Sequence, residues 1–324
     1  MTADRLRPRL SIGLPVYNGE EYLRASIDAV LGQTYTDFEL ILSSNASTDG
    51  TDDICREYAA RDPRITFYRQ ERNVGAAPHH DFVLQKSRGE LFKWASGDDL
   101  WARDLVARCV ELLDQHPDAI LAHSYTAAID GADTVIQALE YPLHTDAPQA
   151  PERLRSMLFD GDLPGAIQAD DFYGVMRTDV LRKVKPHGSF YHADQVFMAE
   201  VALHGRFLQV PEWLYFRRHH DGRALQANPT ISSWSRNLDP RRSNRLVHPP
   251  VRLVAEYILG YFAAVRRSPL TPAERRECNR HIRRWLTSRV TRRMPGRSKP
   301  APIQDFGAID TLSVHAVVAG SEGN

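Results

Sequence analysis

The segment LFKWASGDDLW (residues 91–101) places two neighbouring carboxylates, Asp98 and Asp99, directly after an apolar run. The run over residues 91–95 is typical of a buried strand, and the two acids follow at its predicted end. Carboxylates at a strand exit form a hard-oxygen site that suits Mg²⁺ or Mn²⁺ together with phosphate oxygens. An acidic turn that caps the next helix is the alternative interpretation.

Strands and helices alternate before this diacid. Apolar runs predict strands at residues 10–16, 38–43 and 65–68, and a helical pattern follows each of them. The first helix is predicted to begin in a capping box formed by Asn18 and Glu21. Such alternation is typical of an open α/β sheet, which binds ligands at the carboxyl ends of its strands. The diacid is therefore predicted to lie at the binding edge.

The pattern becomes more mixed after the diacid. A helix is predicted over residues 103–116 and a strand over 119–129, whereas residues 130–149 show no interpretable period. A second block of helices and strands covers residues 151–210. Residues 301–324, which contain no Lys or Arg, are predicted to form a loosely ordered tail.

Basic residues are concentrated near the C-terminus. The chain has 41 basic and 41 acidic residues, but residues 217–299 contain 20 basic and only 5 acidic ones. We expect this region to pack against an acidic face of the same chain or of a second copy. Contact with anionic lipid, or with the phosphates of a lipid-linked acceptor, is the alternative. Nucleic-acid binding is not expected, because no recognised motif accompanies the charge.

No secretion signal and no membrane-spanning segment is visible in the sequence. Cys55, Cys109 and Cys278 are widely spaced and form no CxxC motif, which favours a reducing compartment. We therefore expect a cytoplasmic protein, with a location at the inner face of the membrane as the alternative.

Several short motifs occur in one order along the first hundred residues. The chain resembles the family 2 nucleotide-sugar glycosyltransferases over about residues 8–222. The fold implied is α/β of the GT-A type, Rossmann-like, with a mostly parallel central sheet flanked by helices. The matching motifs are LPVYN (14–18), QTYTDFEL (33–40), NASTDGT (45–51), NVG (73–75), SRGE (87–90) and the diacid.

The resemblance also implies a division of the chain into regions. Residues 1–222 would form the catalytic domain, with a nucleotide-binding half at about 8–130 and an acceptor half at about 131–222. Beyond the resembling region, the arginine content and the helical spacing of apolar residues over 251–265 predict a basic helical extension at residues 223–300.

The resemblance implies a donor site in the loops after the first two strands. Asn45 occupies the place of an Asp that accepts the uracil N3 proton, and Ser44 stands where a further acid is usual. The donor is therefore expected to be a UDP-sugar first, and a dTDP- or GDP-sugar second. The implied nucleotide and donor contacts are Pro15, Tyr17, Asn18, Glu20, Asn45, Ser47, Asn73, Gly75 and Asp98.

The resemblance implies a divalent cation, Mn²⁺ or Mg²⁺, at the diacid. Asp99 would bind the ion that bridges the donor diphosphate, while Asp98 contacts the ribose or the sugar. Ser96 replaces the first acid of the usual Asp-x-Asp motif. In the segment that closes the domain, a His can reach the metal and an Arg the diphosphate. The candidates are His219 and His220 for the metal, and Arg217 and Arg218 for phosphate.

An inverting transfer needs a base that takes the proton of the acceptor hydroxyl. Asp194 is the implied base, because it lies at the start of a predicted helix where the family has its catalytic acid residue. A simple N-cap role for Asp194 is the alternative, and Asp170 and Asp171 compete for the base role.

The resulting expectation is a metal-dependent inverting hexosyltransferase with a nucleotide-sugar donor and a hydroxyl acceptor. The acceptor would belong to polysaccharide, glycolipid or natural-product glycan assembly. The alternative is a nucleotide-sugar-binding protein with weak or no catalysis, since Ser44 and Ser96 stand where acids are usual.

Overall fold

The computed structural model describes residues 7–139, 141–160 and 170–291. The strands are β1 (Leu10–Val16), β2 (Phe38–Ser44), β3 (Ile65–Arg69), β4 (Leu91–Trp94), β5 (Leu100–Trp101), β6 (Ala119–Ile129), β7 (Val135–Leu139), β8 (Val175–Arg177) and β9 (Arg206–Arg218). The helices are α1 (Leu23–Leu31), α2 (Thr51–Arg61), α3 (Ala76–Lys86), α4 (Leu105–Gln115), α5 (Ala150–Phe159), α6 (Thr178–Leu181), α7 (Ala193–Ala202), α8 (Ala224–Ala227), α9 (Ile231–Leu238), α10 (Pro250–Arg267) and α11 (Pro272–Thr291).

The described strands form one sheet in the order β3-β2-β1-β4-β8-β6-β9-β5, and β7 pairs with β6. The first four strands are parallel, whereas β8 runs antiparallel to both of its neighbours. Strands β6 and β9 are parallel, and β5 pairs antiparallel with β9. The predicted α/β architecture is confirmed, with a parallel first half and a mixed second half.

Helices cover the sheet on both faces. Leu40 and Leu42 of β2 belong to the core cluster that also contains residues of α1, α2 and α4, while Ile41 belongs to the cluster on the α3 and α7 side. This alternation follows from the two-residue period of a strand. Gly13 in β1 permits the close approach of α3, since a Cβ there would lie 2.7 Å from the side chain of Val83.

The predicted capping box of the first helix is wrong. Helix α1 begins after Tyr22 with no side-chain cap. Asn18 instead has a positive φ of 49° and accepts a hydrogen bond from the backbone of Thr48 at 2.9 Å. Its side chain therefore joins two loops rather than capping a helix, because a residue with this φ turns the chain sharply after β1.

The predicted helical C-terminal extension is confirmed over its described part. Helices α10 and α11 pack with α5 and α7 around Tyr261, Cys278 and Trp285. None of the helices in the described ranges is long and apolar enough to span a bilayer. The tail predicted over 301–324 lies outside the described residues.

Candidate functional site

The loops that follow β1 and β2 are joined by hydrogen bonds at the binding edge of the sheet. The Asn18 amide donates to Ser47 Oγ at 3.0 Å, and the Gly50 amide donates to Glu20 Oε2 at 2.5 Å. Beside them, Tyr17 is 49% exposed. Pro15 lies within β1, where it is paired with Ser43 of β2. Together with residues 73–75, we call residues 17–20 and 45–50 the donor loops.

Asn45 holds the donor loop of residues 73–75 in place. Its side chain is buried, with Nδ2 donating to Asn73 Oδ1 at 3.1 Å and Oδ1 accepting from the Val74 amide at 2.9 Å. One lone pair of that oxygen is thus used within the protein, and a carbonyl oxygen has two. Gly75 has a φ of 89°, and a Cβ there would lie 2.4 Å from the carbonyl oxygen of Leu238. The end of α9 therefore packs directly on the donor loops.

Asp99 is an internal anchor in this structure. Its side chain is fully buried. Oδ2 accepts a hydrogen bond from Tyr215 Oη at 2.5 Å, and Oδ1 accepts from the Arg218 amide at 2.9 Å and from Arg223 Nη1 at 2.8 Å. These contacts tie the exit of β4 to the end of β9 and to the segment beyond it.

Asp98 is the partly exposed acid of the pair, with 21% of its side chain accessible. Its Oδ2 lies 3.0 Å from His220 Nε2 and 3.4 Å from Arg223 Nη1, while Oδ1 accepts from the Ser96 hydroxyl. Burial alone would raise the pKa of Asp98. The hydrogen bonds from His220 and Ser96 and the charge of Arg223 outweigh burial and lower this pKa to about 2. Asp98 is therefore a stable anion beside the donor loops.

The Arg218 guanidinium is committed to protein partners. Only 2% of its side chain is exposed, and it forms an ion pair with Asp133. It also donates to the carbonyl of Asp98 at 2.8 Å and lies 4.5 Å from the ring centre of Tyr22. These contacts hold the segment after β9 against the diacid and the start of α1.

Arg223 was missed by the sequence analysis. Burial would lower its pKa, but the charges of Asp99 and Asp98 outweigh burial and raise it. Its side chain is 10% exposed and bridges both acids. A single Arg within an arginine-rich region gives no sequence signal that it faces a diacid 124 residues earlier.

The two predicted histidines directly follow Arg218, the last residue of β9, whose amide bonds to Asp99. His220 contacts Asp98, whereas the buried Nε2 of His219 has no hydrogen-bond partner among the described residues. Burial, Arg217 and Arg223 lower the pKa of His219, in that order. Over the described ranges no three His, Cys, Asp or Glu side chains converge to hold a metal ion. Asp98 and His220 are the adjacent side chains that a Mg²⁺ or Mn²⁺ ion would take as ligands here, by replacing their hydrogen bond to each other, with water and donor phosphates completing the coordination.

Asp194 lies half-buried in the first turn of α7, after His192 with a φ of 57°. Burial lowers the pKa of the neighbouring His187, and the negative charge of the Asp194 carboxylate opposes this shift. By contrast, Asp171 is fully buried and accepts a hydrogen bond from Tyr141 Oη at 2.8 Å. Asp194 is therefore the more accessible of these two candidate bases.

Helix α9 connects the two sides of the site. Leu238 at its end packs with Ala77 of α3, which follows the donor loops, and with Ala193 of α7, which precedes Asp194. The segment beyond residue 222 is thus part of the framework of the site.

A family model described as Glycosyl transferase family 2 matches residues 11–184, more than half of the chain. The chain belongs to glycosyl transferase family 2. This confirms the predicted family. The matched region includes the donor loops and the diacid, whereas Asp194 and the residues at the end of β9 lie outside it.

Curated relatives of this family 2 protein match less than half of its length. TuaG of Bacillus subtilis, described as a teichuronic acid biosynthesis glycosyltransferase, is 31% identical over 144 residues, which is 44% of this chain and 57% of TuaG. Glycosyltransferase GlyA of Streptococcus pneumoniae is 29% identical over 117 residues, which is 36% of this chain and 17% of GlyA. The chain thus spans 57% of the length of TuaG and 17% of the length of GlyA.

Solved structures extend the likeness to most of the fold. Residues 1–349 of S. aureus TarS, solved in complex with UDP, superpose with a TM-score of 0.52 at 15% identity. The match covers 87% of this chain and 91% of that one. At this identity the likeness confirms the predicted GT-A fold and nothing finer. The individual site residues stay predictions.

Proposed function

We propose that this family 2 protein is an inverting glycosyltransferase that moves a sugar from a nucleotide-sugar to a hydroxyl acceptor. The observation that carries the proposal is Asp98, a partly exposed carboxylate held as an anion by His220 and Arg223 at the exit of β4. It lies at the carboxyl edge of the parallel strands, where open α/β sheets bind ligands. Membership of family 2 supplies the reaction class.

The donor is proposed to be a UDP-sugar. Asn45 offers its remaining oxygen lone pair as an acceptor, which suits the N3 proton of uracil. Asn18, Glu20, Ser47, Asn73 and Gly75 shape the pocket, and the exposed ring of Tyr17 offers a stacking surface. TarS has been solved with UDP and with UDP-GlcNAc, which supports testing uridine nucleotides first.

We assign the cation site to Asp98 and His220 rather than to Asp99. Both acids accept hydrogen bonds from protein donors, but 21% of the Asp98 side chain is exposed whereas Asp99 is fully buried. The proposed role of Asp99 is therefore to position Arg223 and the end of β9. A Mn²⁺ or Mg²⁺ ion bound by Asp98 and His220 would act as a Lewis acid that stabilises the negative charge developing on the leaving diphosphate. With Arg218 committed elsewhere, Arg217 is the remaining candidate for a phosphate contact.

Asp194 is the proposed base. In an inverting transfer its carboxylate takes the proton from the acceptor hydroxyl as that oxygen attacks the anomeric carbon, and the nucleoside diphosphate leaves on the opposite side. The contact of α9 with both α3 and α7 would keep the base and the donor loops at a fixed separation. The name of TuaG, a teichuronic acid biosynthesis glycosyltransferase, supports a cell-wall polysaccharide as acceptor.

Binding calorimetry with UDP, dTDP and GDP, with and without Mn²⁺, tests the donor site. We expect Mn²⁺-dependent binding of UDP and a loss of at least about tenfold in Asp98→Asn. The matched Asp194→Asn should bind UDP normally and lose about a hundredfold or more in turnover of a UDP-sugar. Active Asp194→Asn would move the base elsewhere, and absence of binding to all three nucleotides would overturn the proposal.

The second candidate is a nucleotide-sugar-binding protein without transfer. Ser44 and Ser96 favour it, since their hydroxyls bond to Ser47 and Asp98 where family members carry acids. Tight UDP binding without release of UDP from any donor, across a panel of acceptors, would support this alternative.

A further inference from the structure

Apolar exposure is concentrated in one short stretch of the C-terminal region. Across the described ranges six large apolar side chains are exposed, and four of them lie within residues 246–259. Single exposed apolar residues are ordinary, but clustered ones mark an interaction surface. The four are Leu246 (93% exposed), Val247 (49%), Val251 (75%) and Leu259 (62%).

These side chains form a strip along α10 and the loop before it. Val251, Ala255 and Leu259 are spaced by four residues and are all exposed, so they share one face of the helix. On its inner face α10 buries Leu253 and Tyr261. We call Leu246, Val247, Val251, Ala255 and Leu259 the apolar strip.

The loop that presents Leu246 has a defined conformation. Asn244 Oδ1 accepts from the Leu246 amide at 2.9 Å, and the Asn244 carbonyl accepts from the His248 amide at 2.8 Å. Pro249 and Pro250 then lead into α10, where proline is favoured at the first helical position. These hydrogen bonds and the two prolines therefore hold the loop in a conformation that exposes Leu246.

Arginines surround the apolar strip. Residues 240–267 contain six arginines and a single acid, Glu256. Glu256 already pairs with both Arg242 and Arg252. Arg245 and Arg266 are exposed at the two ends of the strip, and neither forms an ion pair with a described residue.

We propose that the apolar strip docks this protein on the surface of an anionic phospholipid bilayer. A helix with an apolar stripe and flanking arginines lies in the interface of such a membrane, with its apolar side chains below the headgroups. Arg241, Arg242, Arg252 and Arg267 already have acidic partners in the chain, and anionic headgroups would supply the negative charge for Arg245 and Arg266. The inference goes beyond the proposed transfer reaction and does not depend on it.

A second copy of the chain fits the strip less well. A two-fold contact places the same patch on both partners, so the arginines of one copy would face those of the other. Glu256 is already shared between Arg242 and Arg252, so it leaves the repulsion between the exposed Arg245 and Arg266 of the two copies without a counter-charge. A lipid surface carries no such penalty.

Vesicle sedimentation with the full-length protein tests the proposal. We expect binding to vesicles of phosphatidylcholine mixed with phosphatidylglycerol and little binding to phosphatidylcholine alone. The double variant Leu246→Ser/Val251→Ser should reduce the bound fraction at least about tenfold, because it removes the two most exposed apolar groups. Ile136→Ser, which alters a 50% exposed side chain outside the strip, is the matched control and should bind as wild type.

Charge is tested separately. Arg245→Ala/Arg266→Ala should weaken binding severalfold at low salt, and Arg61→Ala on α2 should not. Equal binding of the Ser variant and wild type, or equal binding to neutral and anionic vesicles, would overturn the proposal. So would a solution dimer that the Ser variant dissociates. UDP binding by the same variants distinguishes a docking defect from failure of the proposed function, because the strip lies outside the donor loops.

Discussion

The donor loops and the diacid lie at the same edge of the sheet but are held by opposite means. Backbone amides join the donor loops by donating to side chains that are buried and neutral, as at Asn45, or charged and exposed, as at Glu20. The diacid is held by buried charge, with Asp98 and Asp99 against Arg223. Neutral hydrogen bonds each contribute modestly, whereas a buried charge without its partner is very costly. The two regions should therefore differ in how they respond to substitution and to pH.

The largest expected effect is on the charged side. Asp99→Asn should lower the free energy of unfolding by about 3–5 kcal/mol, because Arg223 stays buried after losing its closer carboxylate. Asp98→Asn is the control, and it should cost less stability because Asp98 is partly exposed and water can replace its contacts. Urea unfolding measures both. Equal losses in the two variants would mean that the buried pair is not what holds this region.

A smaller effect is expected on the neutral side. Asn45→Ala should cost about 1–3 kcal/mol, since the Val74 amide and Asn73 Oδ1 lose their buried partner. Thr48→Ala, whose hydroxyl lies on the exposed side at 3.5 Å from Asn18 Oδ1, should change stability little. A loss in Asn45→Ala as large as that in Asp99→Asn would remove the contrast between the two regions.

A buried histidine in α3, the helix that follows the donor loops, should make the stability of the protein depend on pH. His79 of α3 is buried with Nε2 2.8 Å from Ser43 Oγ. Burial, with a smaller contribution from His80, lowers the pKa of His79 to about 3. Between the unfolded pKa near 6.5 and this value the unfolded chain binds the extra proton, so stability falls as pH falls, by about 1.4 kcal/mol per pH unit.

The pH slope of stability checks this expectation. His79→Gln should reduce the slope between pH 6.5 and 5 by about that amount. Asp98 behaves differently, because its pKa is lowered to about 2. Its stabilising contribution is present above the unfolded pKa of about 3.9 and is lost only as pH falls from there towards 2. An unchanged slope in His79→Gln would show that this histidine does not titrate on unfolding.

Most of the fold could be predicted from local pattern. The observed bounds of β1 and β6 are those predicted, because both strands are buried and mostly apolar along their length. Strand β5 has two residues and exists only through its pairing with β9, so no periodicity could reveal it. Strand β7 lies in a stretch where the sequence showed no pattern, and its pairing with β6 defines it.

The candidate site could be predicted only as a set of positions. The motif order indicated which loops meet, and the structure brings Asn18, Glu20 and Ser47 together. The sequence did not indicate which acid of the pair is buried, because two adjacent carboxylates differ only in the residues that surround them in the fold. Arg223 was missed for the same reason, since its partners come from the distant exit of β4.

The sequence by itself determined the family, the alternation of strands and helices, and the placement of two acids at a strand exit, because these depend on local apolar period and motif spacing. Only the tertiary structure decided that Asp99 is an anchor, that α9 joins the donor loops to the helix of Asp194, and that apolar side chains lie exposed along α10. Burial and charge pairing depend on residues far apart in the chain, which local pattern does not contain.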